Sequence, residues 1–549
     1  MILRRTSVTV LVLSVVLLAC APARAQAQKT PDAWSQWRGP ARDGVAPPQP
    51  WSWKWSAEGP RKVWTANVGQ GYASLISSGG RIFAFGRVSE KAAGKKWVEL
   101  VGDCVQCLDA DTGKVLWRTR VGSGRGEFVT STPCTDGKRV FAATWEGNVT
   151  ALEADTGAVV WQVNIVKEHQ TSRGGFHGIA NSPLLVGNVL VLSQGVGLDK
   201  DTGKLVWQNR DAMAKCHASP VLCPADGRPG VVMIGQNLLR IDPTTGETFW
   251  KQEEVQRLGT GYMDPIVFGD RVLVLSGSGA NRFRFTATSV SLDNKGLFRS
   301  NIYGYVGAGD LANPVTWKGC LYAPRLSSSD RSGMFADNPD LSLSRLECFD
   351  LETLEKKWSR PGIAGTPVLC DGKLIIQGQW GELRVVEASP EGYVELANAR
   401  ISEPRSGQPV NPFGRASWAT PVLLNGRIYC RFFPGDVVCL DVSRDDPDPD
   451  PLVGRRRIVG ELCTVTGTLG AKPADAPKHV VGLLAEDASP ADAQRAPAVY
   501  TLCALKHNDN PGHIEKIAGF VDRGGRVSVT GTLMYENRLS VNQIAPVGP

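Results

Sequence analysis

Short apolar runs, broken by turn residues at even spacing, mark most of this chain as strand rather than helix. Residues 366–388, TPVLCDGKLIIQGQWGELRVVEA, show the pattern. Asp371-Gly372 separates two apolar runs and reads as a hairpin turn, and Trp380-Gly381 marks the next turn. The unit is therefore strand, turn, strand, strand, turn, strand. A polar or small residue followed by proline opens such a unit at Thr132-Pro133, Ser182-Pro183, Ser219-Pro220, Asp264-Pro265, Asn313-Pro314, Thr366-Pro367 and Thr420-Pro421. Ala73-Ser74-Leu75 is a first copy without its proline, which makes eight landmarks.

A second signal keeps step with the first. CLDADTGKVLW, ALEADTGAVVW, GLDKDTGKLVW and RIDPTTGETFW end at Trp117, Trp161, Trp207 and Trp250, which are 44, 46 and 43 residues apart. Worn copies end at Trp358 or survive near 291–293, 386–388 and 439–441. The glycine suits a turn position with positive φ, and the Asp and Thr side chains can bond the turn's own backbone. The tryptophan falls on the outermost strand, where it can wedge against the next unit. Four-stranded units at this period are blades of a β-propeller, and eight landmarks predict eight blades. The lone segment KVWTANVG (62–69) carries the repeat's tryptophan ahead of the first landmark and is expected to complete the last blade beside 437–442.

The flanks divide the rest. Residues 1–25 carry Arg4 and Arg5, an apolar run and Ala23-Arg24-Ala25, the pattern of a secretory signal peptide. Leu17-Leu18-Ala19-Cys20 is a competing lipobox reading that would put a lipid on Cys20. Residues 26–59 form an N-terminal arm with the aromatic anchors of WSQWRGPARDGVAPP, residues 60–443 the propeller, and residues 444–454 a stiff Asp/Pro linker. Residues 455–549 read as four or five strands with Gly-rich turns and a short helix in HIEKIAGFVDRG. That order predicts a small β-barrel-like domain, with the OB type as its candidate architecture. VTGTL occurs twice, at 465–469 and 529–533, as if on two equivalent strands. The fold class is all-β: an eight-bladed propeller followed by this small domain.

Composition changes the picture in two places. The formal net charge of +7 includes the arginines of the leader, so the chain makes no electrostatic case for nucleic acid. The 13 cysteines suggest disulfides in an exported protein. Yet Cys107, Cys348 and Cys439 share one register position, where Ala151 stands in another copy, which favours small buried thiols. Cys104 and Cys107 are spaced like a redox pair, but a three-residue offset on a strand points them to opposite faces.

The repeat Asp109, Thr112, Gly113, Lys114, Trp117, with its copies at 199–207 and 242–250, resembles that of the pyrroloquinoline-quinone-like (PQQ-like) propellers. The opening WSQWRGPARDGVA is similar to the start of exported, planctomycete-type bacterial propellers. The resemblance covers about 380 residues. It implies one of two functions. Quinoprotein alcohol and sugar dehydrogenases hold PQQ and calcium in the funnel. Non-catalytic members, such as the lipoprotein of the β-barrel assembly machinery, use the fold as a protein-binding surface. The adjacent cysteines on which many of these dehydrogenases stack the quinone are missing here, and so is a haem-binding Cys-x-x-Cys-His.

A quinoprotein site needs oxygens converging on calcium and a carboxylate base. The landmark residues and those just before them are expected to line the funnel or its rim: Tyr72, Ser74, Arg125, Thr130, His177, Asn181, His217, Tyr262, Asp264, Asp310, Asn313, Arg415 and Trp418. Asp264, Asp310 and Asn313 form the candidate calcium cluster, with Asp264 as the base. His217, Arg415 and Trp418 are candidate cofactor contacts. The competing reading is that these groups satisfy one another. An open funnel and one plugged by the 34–48 arm or the tail are equally compatible with the sequence. The expectation is an exported, non-catalytic scaffold in the bacterial envelope, without cofactor, whose partners are envelope proteins or a small-molecule or sugar ligand. Nucleic acid is not expected, and membrane contact only through Cys20. A PQQ- and calcium-dependent dehydrogenase is the alternative.

Overall fold

The computed structural model describes residues 33–443, apart from 57, 92–97, 127, 173–177, 214–216, 226, 236, 253–262, 278–284, 294–295, 303–311, 326–343, 379–380 and 403–417. Beyond them it describes five strands between 462 and 546. Eight antiparallel sheets follow one another along residues 61–441, each with four strands of the propeller. Blades 1 to 8 begin at Ile76, Cys134, Leu184, Val221, Ile266, Val315, Gly365 and Val422. In each, the first strand is innermost. Blade 8 borrows its outermost strand from the other end of the repeat: Arg61–Asn67 pairs antiparallel with Asp436–Asp441, as the sequence predicts. Arg61 also donates to the Asp441 carboxylate across this seam.

The tryptophan and the glycine of the repeat form one joint. The Trp117 indole lies on Gly157 of the next blade, where a Cβ would sit 2.5 Å from Cε3. Trp64 lies on Gly113, Trp161 on Gly203 and Trp207 on Gly246 in the same way. Each indole N–H then donates to a carbonyl of the turn it covers: Trp64 to Ala110 (3.0 Å), Trp117 to Ala154 (3.0 Å), Trp161 to Lys200 (3.0 Å) and Trp207 to Pro243 (2.9 Å). The turn is built from its own side chains. Asp109 Oδ1 accepts from Thr112 N–H at 2.8 Å and Thr112 Oγ1 at 2.7 Å, and Gly113 has φ 70°. A register shift precedes the tryptophan in the outer strands of blades 1 to 4, 6 and 8, and blade 7 shifts at the same place. Such a bulge adds local twist, which here accompanies the tryptophan's turn toward the next blade, and it interrupts an otherwise unpaired edge.

The apolar core has no single centre. Phe83, Phe85 and Val105 of blade 1 pack with Val140, Ala142 and Leu152 of blade 2. Equivalent clusters join the later neighbours, and one joins blades 7, 8 and 1. Cys107, Cys348 and Cys439 are buried in these layers. Nine described cysteines are buried, and no disulfide joins them to one another. The predicted Asp371-Gly372 hairpin has φ 48° and 72°, both positive as a type I′ turn requires.

The C-terminal strands Leu462–Gly470, Val480–Ala485, Val499–Cys503, Arg526–Met534 and Arg538–Pro546 close into a barrel. The third and fifth are parallel, and all other pairs are antiparallel. The two VTGTL copies lie on paired strands with Val465 opposite Val529. HIEKIAGFVDRG falls outside the described residues. Among the described residues no helix is long and apolar enough to cross a membrane.

Candidate functional site

The inner strands surround an axial channel, and the residue before each landmark proline links one blade to the next. Ser74 N–H donates to Thr132 Oγ1 (2.8 Å), Thr132 N–H to Ser182 Oγ (2.9 Å) and Ser182 N–H to Ser219 Oγ (3.0 Å). Ser219 N–H donates to Asp264 Oδ1 (2.7 Å), and Asp264 N–H to Asn313 Oδ1 (2.7 Å). Thr366 Oγ1 donates to Ala419 O (2.7 Å), and Thr420 N–H to Ser74 Oγ (2.7 Å). At Ser74, Thr132, Ser182, Ser219, Asp264 and Asn313 the landmark's side-chain oxygen accepts the preceding blade's N–H, whereas Thr366 donates to the next blade's carbonyl. Proline, which lacks an N–H, follows the landmark at no cost in donors.

Asp264 and Asn313, proposed from sequence as one oxygen cluster, are thus neighbours in this ring. Both are buried. The second oxygen of Asp264 is engaged as well: Trp37 Nε1 donates to Oδ2 at 2.7 Å, and Arg38 Nη1 stands 3.9 Å from it. These partners come from the N-terminal arm, which runs into the channel. Ala33–Trp34 adds a strand to the channel side of blade 1, with Trp34 opposite Ser77. Thr135 of blade 2 donates to Ser35 O at 2.8 Å. Arg38 Nη2 donates to Pro314 O of blade 6. Arg42 reaches blade 3, with Nη1 to Pro183 O at 2.7 Å and Nη2 to Ser182 O at 3.1 Å. Ala46 N–H bonds Leu369 O of blade 7 at 2.7 Å, and Gln49 Nε2 bonds Leu423 O of blade 8 at 3.2 Å.

Local chemistry holds the arm in this path. Arg38 and Arg42 both have φ 60°, a left-handed conformation that costs a side chain about 1 kcal/mol or more. Turn bonds Gly39 N–H to Gln36 O, Arg42 N–H to Gly39 O and Gly44 N–H to Arg38 O, each 3.0 Å, fix it. The Trp34 ring fills the space over Gly39, where a Cβ would meet it at 3.1 Å. The two guanidinium groups are almost wholly buried, at 4% and 1% exposure. Burial pushes both pKa values down, that of Arg42 to about 10, and the Asp264 carboxylate opposes the shift at both; an arginine keeps its charge in a protein. Two buried cations thus share the buried Asp264 carboxylate, and Asp43 of the arm adds its charge at Arg38.

The other candidates lie apart. Trp418 and Tyr72, each two residues before its landmark, stack with ring centroids 4.2 Å apart, and Tyr72 is 4.7 Å from Phe433. His217 is half-buried two residues before Ser219. Arg125 is exposed beside Ser123, Thr130 half-buried, and Asn181 buried, accepting from Gln194 Nε2 at 3.1 Å. His177, Tyr262, Asp310 and Arg415 fall outside the described residues. Among the described residues no cluster of three or more metal-ligating side chains occurs. Sequence reasoning missed Trp37, Arg38 and Arg42 as channel residues. Two arginines beside Gly and Pro in an aromatic arm were the available signal.

Comparison with known proteins agrees with the repeat. The outer membrane protein assembly factor BamB of Burkholderia pseudomallei (strain K96243) is 28% identical over 199 residues, 35% of this chain and 45% of that protein. The Yersinia pestis protein of the same name is 27% identical over 236 residues, 40% of this chain and 57% of that protein. The chain spans about half the length of the curated relatives it matches. The quinohemoprotein alcohol dehydrogenase of Comamonas testosteroni superposes with a TM-score of 0.51 at 13% identity, over 76% of this chain and 82% of the other, a likeness of fold alone. The family profile described as outer membrane protein assembly factor BamB matches residues 54–219, 101–360 and 234–458. With most of its length so matched, the chain belongs to that family of PQQ-like propellers.

Proposed function

We propose that the chain is an exported, non-catalytic propeller that serves as a binding or assembly scaffold in the bacterial envelope. One observation carries this reading: the channel is filled by the chain's own arm, and both oxygens of Asp264 are taken by Ser219, Trp37 and Arg38. A calcium ion at Asp264 would displace those donors and face two buried guanidinium groups, so the donor set does not suit a hard cation. Asp264 and Asn313 then serve as blade links, and Trp418 as part of an aromatic contact with Tyr72. Family membership supports envelope proteins as the class of partner, and the 1–25 segment supports export. The barrel's five strands with one parallel pair support the OB type, with a protein or sugar surface as its use.

Calorimetric titration of the purified protein with PQQ, with and without calcium, tests the reading. We expect no binding at tens of micromolar. Tight, calcium-dependent binding would replace the scaffold with the dehydrogenase and call for alcohol and sugar oxidation assays. Cross-linking in envelope fractions would then identify the scaffold's partners, and the mass of the exported protein would decide between cleavage after Ala25 and a lipid on Cys20.

A further inference from the structure

The arm is held in the channel by more than chain connectivity. Its contacts fall on opposite sides of the axis: Ser35 on blade 2 against Arg38 on blade 6, and Arg42 on blade 3 against the Ala46 link to blade 7. All the polar contacts named are to backbone groups except those at Asp264, which receives the Trp37 indole N–H and lies beside the Arg38 guanidinium. We infer that the channel is a peptide-binding site, occupied in cis by residues 34–46, that recognises an indole and two arginines through the Asp264 carboxylate and the landmark carbonyls.

Three features mark this as a built site rather than a passing contact. The arginines sit in left-handed backbone that only a surrounding structure sustains. Two buried cations tolerate burial only where carboxylate and carbonyls replace their water, and Pro183, Ser182 and Pro314 present those carbonyls just ahead of the inner strands. The occupant crosses the axis and so ties together blades that share no interface. A bound arm braces the ring and closes the channel at the face where the first two strands of each blade turn. This inference uses the same filled channel as the scaffold reading but is tested separately: quinone titration decides that reading, and arm release decides this one.

The experiment uses the full chain with a protease site inserted at Pro48, which is exposed at the surface. After cleavage, the arm should co-elute with the propeller in size-exclusion chromatography and exchange slowly against an excess of labelled synthetic peptide of residues 31–48. Trp37→Phe, which removes one N–H, should speed exchange at least tenfold. Asp264→Ala and Arg42→Met should lose the arm within a column run. Asp264→Ala also removes a blade link. Should that chain not fold, Arg42→Met, which touches no side-chain link, carries the test alone. Separation of the wild-type arm on cleavage would overturn the inference. Retention by Arg42→Met as firm as wild type would overturn it too.

Discussion

At the scale of single residues, the Trp–Gly joint explains why the repeat keeps both positions together. The glycine serves backbone conformation and also clears the surface on which the indole lies. These two demands can be separated. Gly157 has φ 72° and Trp117 within 2.5 Å of an added Cβ, whereas Gly187 has φ 56° and open space around it. Gly187→Ala should cost about 1 kcal/mol, the left-handed penalty alone. Gly157→Ala should cost about 2–4 kcal/mol, because the ring must also move. Urea denaturation of the two variants reads the difference. The worn copy tests the balance from the other side. Leu354 replaces the turn glycine, keeps φ 59° and is 4% exposed. Its burial is worth about 2–3 kcal/mol against roughly 1 kcal/mol of strain. Leu354→Gly should therefore destabilise, by about 1–2 kcal/mol, and a stabilised variant would show that strain outweighs burial there.

At the scale of elements, the blades were legible because strand periodicity, hairpin glycines and the tryptophan spacing all repeat. The closing strand was legible because it carries the repeat's tryptophan alone. The links between blades were half legible. Ser, Thr, Asp and Asn before proline marked the inner strand, but a sequence does not say whether an oxygen faces a ligand or the next blade's N–H. The arm's path was not legible, since no periodicity governs a segment whose bonds go to seven different blades. The links also rank the expected losses. Thr132→Ala removes a neutral acceptor and leaves the buried Ser74 N–H without its bond, a cost of about 1–3 kcal/mol. Asp264→Asn keeps an acceptor for Ser219 but takes from two buried guanidinium groups the buried carboxylate they share. Removing one member of a buried charge set costs about 3–5 kcal/mol, so Asp264→Asn should be the worse of the two. Equal denaturation midpoints would show that Asp264 acts only as a hydrogen-bond acceptor.

At the scale of the whole molecule, a core divided among blade interfaces leaves no blade with a complete core of its own. The ring therefore stands or falls at its seam, and the buried thiols report on it. The nine cysteines of the propeller whose burial is described rely on packing to keep their thiols from oxidants. Burial raises the thiol pKa of Cys104 to about 11 and those of Cys107, Cys134 and Cys439 to about 12, from an ordinary 9.0. The thiolate is the reactive form, so the native ring should resist iodoacetamide at pH 8, and peptide mapping should find these cysteines alkylated only after unfolding. The sign of the pH effect follows. The folded state holds these protons more tightly than the unfolded chain, so their contribution is full below pH 9 and is lost as pH rises from there toward about 12. Trp64→Ala opens the blade 8–blade 1 seam, where the indole covers Gly113 and bonds Ala110 and where Cys439 packs in the same cluster, whereas Cys107 packs between blades 1 and 2 and Cys134 between blades 2 and 3. Native-state alkylation in that variant should rise first at Cys439, with Cys107 and Cys134 lagging. Simultaneous labelling of all three would mean that the ring opens as one unit, with no weaker seam where the chain closes on itself.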